Sequence, residues 1–74
     1  MPATQPHPDW YAILDIPPNA DAAAIKAADR RRARELHPDI NSSGDATARM
    51  AEVNRARDVL LDARARAVFD RQLA

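Results

Sequence analysis

His37, Pro38 and Asp39 set an imidazole, a rigid ring and a carboxylate side by side, with the hydroxyls of Ser42 and Ser43 a few positions on. Imidazole, carboxylate and hydroxyl are the residue types of nucleophilic catalysis. Neighbours along one loop rarely reach the geometry a base needs toward its nucleophile, however, and 74 residues offer neither an oxyanion motif nor room for a sizeable pocket. Metal chemistry fares no better. His7 and His37 are the two histidines, neither has a helical i, i+4 partner, and there is no cysteine, so no metal and no cofactor are expected. What remains is recognition: a compact polar surface on a turn that core packing does not ask for. A second set of candidates lies just upstream, where Lys26, Arg30 and Arg31 fall in a locally basic stretch. Cations on one helical face raise the encounter rate with an acidic partner and orient it, although a run of Arg is also an ordinary solvated face.

The elements that must position these residues follow from punctuation and period. Proline lacks an amide hydrogen and biases its predecessor away from helical angles, so a helix running up to Pro38 ends near Leu36 and presents the tripeptide on a turn. That helix starts after Asp21, a good N-cap, and strong helix formers fill it from Ala22 onward. At 100° per residue, Ile25, Ala28, Asp29, Arg32 and Leu36 share one face, while Lys26, Arg30 and Arg34 line another with Arg31 flanking them. Asp9 caps a short earlier helix through Leu14, closed by Pro17 and Pro18, with Trp10, Ile13 and Leu14 as its packing residues. Downstream, residues 41–45 are loop chemistry with Asp45 as the next cap. A third helix from about Ala46 carries the seam Ala46, Met50, Val53, Arg57 and Leu60. Asp62 caps a last helix, Ala63 to about Gln72, in which Val68 and Phe69 are the expected packing residues. Neither Gly nor Pro separates the last two helices. The short link between the second and third makes them antiparallel neighbours.

Composition bounds the rest. The formal charge is zero, but it is unevenly placed: residues 1–21 are net −3, and residues 22–36 are net +3. Residues 1–8 hold Pro2, Pro6 and Pro8 with little that packs and read as a flexible N-terminal tail, leaving one domain over 9–72. A chain of this size buries only about 60% of the surface it exposes on unfolding, so stability on the order of 5 kcal/mol is expected. With no cysteine and no apolar run near the roughly 20 residues a bilayer needs, a cytoplasmic monomer without membrane contact is the expectation.

Six blocks then line up. Residues 9–14, 25–28, 36–41, 53–56, 59–62 and 66–70, read DWYAIL, IKAA, LHPDIN, VNRA, VLLD and RAVFD, resemble in order and spacing a J-domain of the DnaJ class. The resemblance covers residues 9 to 70. It implies an all-α fold of four helices whose second and third form a long antiparallel hairpin with the tripeptide at its tip. It also implies a co-chaperone role: docking on a DnaK-type (seventy-kilodalton heat-shock) chaperone and stimulation of that partner's ATP hydrolysis, with no enzymatic activity of its own. Carried over by position, His37, Pro38 and Asp39 are the trigger, and Lys26, Arg30 and Arg31 the docking face.

Three positions depart from that pattern. An aromatic is usual at position 29, a Leu at 32 and a Tyr at 57, whereas this chain has Asp29, Arg32 and Arg57, all on helical seams. Burying an unpaired charge is costly, so these residues are expected to pair or to snorkel to water. Asp29 is within reach of Arg32 on its own helix and of Arg57 across the hairpin. A rival reading uses the Arg-rich second helix to enter a nucleic-acid groove; zero net charge and the lack of a basic stripe elsewhere argue against it, and no nucleic acid is expected as partner.

Overall fold

A computed structural model describes residues 9–37, 39–41 and 44–73. The tail over 1–8, Pro38, and Ser42 and Ser43 lie outside the described residues. Four helices and no strand are present among those described: α1 (Trp10–Leu14), α2 (Ala22–Glu35), α3 (Gly44–Leu61) and α4 (Ala63–Leu73).

Three of the four starts are capped by aspartates, as their positions in the sequence suggest. Asp9 accepts from the amides of Tyr11 and Ala12, and Asp21 from that of Ala24 at 2.8 Å. Asp62 accepts from Arg64 and Ala65 at 3.0 and 3.1 Å, so a single side chain separates α3 from α4 where no Gly or Pro does. The expected fourth cap is corrected. Asp45 lies inside the first turn of α3, which begins at Gly44, and its carboxylate there complements the positive end of the helix dipole.

The longest helix, α3, touches all three others, and α1 packs across both arms of the hairpin. The arms run antiparallel: Asp29 reaches Arg57, whereas Arg32 and Leu36 further along α2 line an open cleft with Arg49, Glu52 and Val53, further back on α3. One core joins Trp10, Tyr11 and Leu14 of α1, Ile25, Ala28 and Leu36 of α2 and its cap, Val53, Ala56 and Leu60 of α3, and Phe69 of α4. Phe69 meets both aromatic rings of α1, at centroid separations of 6.4 Å to Trp10 and 5.7 Å to Tyr11.

One packing expectation is corrected and another is extended. Val68 is exposed, because Phe69 already points into the core and its neighbour lies 100° around the helix. In α1, Trp10 and Leu14 are buried and Ile13, half-buried, packs against the core as expected, while Tyr11 is buried in addition. A five-residue helix lying across two others buries a wider arc than one seam, and Tyr11 can enter because its hydroxyl finds partners, as described below.

Candidate partner-binding site

The turn after α2 is built from its backbone. Leu36 closes the helix with its amide on Arg32 O at 3.0 Å, and the His37 carbonyl then accepts two amides, from Ile40 at 2.9 Å and from Asn41 at 2.8 Å. Those bonds fix the loop without spending His37 Nε2 or the Asp39 carboxylate oxygens. One local bond does use the imidazole: the Asp39 amide donates to His37 Nδ1 at 3.2 Å. A neutral ring that accepts at Nδ1 must carry its proton on Nε2, which makes Nε2–H the donor available to a partner. The Asp39 carboxylate stands 3.7 Å from the same Nδ1, with its side chain 90% exposed and that of His37 58% exposed. A donor and an acceptor are therefore held side by side, open to solvent, on a turn whose backbone uses the imidazole only at Nδ1 and does not use the carboxylate.

The basic candidates on α2 divide into two groups. Lys26 and Arg30 are exposed, and Arg34, one turn further toward the tip, is exposed with them. Their spacing of four residues makes one stripe about 12 Å long. Arg31 is different: it is half-buried and donates through Nη2 to the carbonyl of Leu14 at 2.9 Å. Arg32 does the same through Nε to the carbonyl of Ile13 at 3.0 Å. A helix of five residues leaves nearly all its carbonyls without intrahelical donors, and two guanidiniums from α2 satisfy the last two. The end of α1 is turned toward them by Asp15, the one non-glycine residue with positive φ among those described (φ 58°), whose type tolerates that conformation. Arg31 is thus committed in part to holding α1 on the hairpin. Arg34, absent from the sequence-derived docking set, belongs to the free stripe; its place beside Lys26 and Arg30 at four-residue spacing was the signal for it.

The charged seam resolves asymmetrically. Asp29 bridges to Arg57 of α3 at 3.5 Å, as reach across the hairpin allowed. Arg32, bonded to Ile13 O, pairs instead with Glu35 at 3.1 Å. Arg57 also holds Asp58 through two contacts of 3.2 and 3.1 Å. The Asp58 hydrogen bond, and after it the Asp29 charge, raise the Arg57 pKa against the opposing effect of its desolvation. The bridge is incomplete, for Asp29 Oδ1 is buried without a hydrogen-bond partner.

Away from the tip, a second polar cluster ties α4 to α1. The Tyr11 hydroxyl donates to Asp70 at 2.5 Å and accepts from Arg66 Nε at 3.0 Å. Arg66 Nη2 donates to the carbonyls of Pro18 and Ala20 at 2.9 and 2.7 Å, and the guanidinium lies 5.5 Å from the centre of the Tyr11 ring. Burial, and then the hydrogen bond to Asp70, push the Tyr11 pKa up. Among the described residues no group of three or more His, Cys, Asp or Glu could hold a metal ion, and no helix is long and apolar enough to cross a membrane.

Residues 9–70 match the family model described as DnaJ domain. A Pseudomonas putida (strain W619) protein named Curved DNA-binding protein is 50% identical over 62 residues, spanning 84% of this chain and 20% of that protein. Chaperone protein DnaJ of Thermosynechococcus vestitus is 48% identical over 63 residues, 85% of this chain and 17% of that protein. Chaperone protein DnaJ 2 of Thermus thermophilus is 45% identical over 62 residues, 84% of this chain and 22% of that protein. The chain therefore spans about a fifth of the length of the curated relatives it matches.

Proposed function

Since this chain belongs to the DnaJ domain family, we propose that it docks on a DnaK-type chaperone and stimulates that partner's ATP hydrolysis through His37, Pro38 and Asp39. The observation that carries this reading is the tip: an exposed Nε2–H donor and an exposed carboxylate, placed by a turn that uses the imidazole only at Nδ1 and leaves Nε2 and the carboxylate unspent. Side-chain groups that the fold leaves unused are free to act on a partner. Docking resides on Lys26, Arg30 and Arg34, with Arg31 contributing whatever its bond to Leu14 O leaves free. Exposed cations set association rate and orientation, and the tip makes the short-range contacts that change the partner's state. The domain has no ATPase of its own in this reading and acts as a cytoplasmic monomer.

The test is single-turnover ATP hydrolysis by a DnaK-type chaperone, with wild type, His37→Gln and Asp39→Asn compared at equal concentration. Both variants are expected to lose at least tenfold of the stimulation while keeping wild-type helicity and unfolding temperature. Equal stimulation by wild type and either variant contradicts the assignment.

The name Curved DNA-binding protein among the relatives supports a second reading, in which the basic stripe meets nucleic acid. Against it, Arg31 and Arg32 turn inward to α1, so the free stripe on α2 is three cations long. Duplex binding whose affinity falls steeply with salt, and which charge reversal at Arg30 and Arg34 removes, favours that reading over the chaperone one.

A further inference from the structure

Ile40 is 75% exposed, far more than the next exposed large hydrophobics among the described residues, Val68 at 42% and Leu61 at 37%. It sits beside Asp39 on the turn, its amide held by the His37 carbonyl at 2.9 Å. Turns favour Asn, Asp, Gly and Ser for their backbone chemistry, and an isoleucine left in water there stabilises nothing in the fold. Its β-branched side chain has few rotamers, so ordering it against a second surface costs little entropy.

We propose that Ile40 is an apolar contact residue of the docking site: the chaperone partner takes its side chain into an apolar recess beside the groups that meet His37 and Asp39. This rests on the docking reading above and adds the chemistry of the partner's surface. An acidic strip about 12 Å long faces Lys26, Arg30 and Arg34, and at its end lies a dry recess about the size of a butyl group. The two parts act on different rates. Screened charges govern how fast the complex forms, whereas desolvation of Ile40 governs how slowly it comes apart and is indifferent to ionic strength.

The experiment measures association and dissociation rates of wild type, Ile40→Ala and Ile40→Val on an ATP-loaded DnaK-type chaperone, at low and high salt. Ile40→Ala is expected to dissociate about sixtyfold faster, since it removes three carbons and each one lost from an apolar contact is worth close to fourfold. The factor is the same at both salt concentrations, and the association rate is unchanged. Ile40→Val stays within about fourfold of wild type. Wild-type dissociation by Ile40→Ala overturns the inference while leaving the docking reading intact. So does a loss confined to association that disappears at high salt, which would make position 40 part of the electrostatic strip. A wild-type chain that neither binds nor stimulates the chaperone overturns the docking reading, and this inference with it. Unchanged unfolding temperature of Ile40→Ala, expected for a side chain this exposed, makes any kinetic loss a property of the contact.

Discussion

Two polar clusters in this molecule use similar residue types to opposite ends. At the α1–α4 corner, Tyr11, Arg66 and Asp70 bond one another, and Arg66 also serves two loop carbonyls. At the hairpin tip, His37 and Asp39 share one backbone bond and otherwise face water. Residue type does not tell these clusters apart; the destinations of their hydrogen bonds do. A cation that saturates carbonyls which the local helix cannot satisfy is structural, and a carboxylate that satisfies nothing is available to a partner. By the same accounting Arg31 leans to the structural side and Arg34 to the available one.

The sharpest way to break this contrast is to remove Arg66. Arg66→Ala strips a donor from the Pro18 and Ala20 carbonyls and from the Tyr11 hydroxyl, and is expected to cost about 2 kcal/mol in urea unfolding. Asp39→Asn, by contrast, is expected to stay within about 0.5 kcal/mol of wild type. Equal losses from the two would erase the distinction.

A smaller effect is expected at the seam between the arms. Because Arg57 keeps Asp58 when Asp29 is gone, and because Asp29 Oδ1 is itself unsatisfied, the Asp29–Arg57 coupling in a double-mutant cycle should be only about 0.5 kcal/mol. No coupling is expected between Asp29 and Arg32, which holds Ile13 O and Glu35. Replacing Asp29 and Arg57 together by Tyr should stabilise by about 1 kcal/mol, the low end for exchanging an ion pair for apolar packing, since both side chains keep some contact with water. Adding Arg32→Leu should give nothing further, for it uncaps α1. A coupling well above 1 kcal/mol would move this pair to the structural side of the comparison.

The finest probe is pH. The raised pKa of Tyr11 means that the folded state holds the phenol proton more tightly than the unfolded chain does. The associated stability is complete below the unfolded value of about 10 and is lost as pH climbs through the folded one. Unfolding free energy should therefore fall on that alkaline limb, and Tyr11→Phe should flatten it. A limb unchanged in Tyr11→Phe would mean that the corner does not bind its proton through Tyr11.

Much of this molecule was determined locally, and what is local is legible. Asp9, Asp21 and Asp62 cap because an aspartate ahead of a helix-forming run meets free amides within three residues, wherever that helix later packs. The end of α2 near Leu36 follows equally from Pro38 in the sequence, and the placing of Lys26, Arg30 and Arg34 on one face follows from the helical period. Tertiary structure alone decided which arginine is free. Arg30 and Arg31 are neighbours of one type, and only the docking of α1 across the hairpin puts the Leu14 carbonyl within reach of one and not the other. The same holds for Val68 against Phe69, where a 100° step matters only once α3 and α1 fix which side of α4 is inside, and for Tyr11, buried because Arg66 and Asp70 arrive from the far end of the chain. Caps and turns are contacts within a few residues of sequence. Choosing a carbonyl's donor or a helix's buried arc takes groups that only the folded chain brings together.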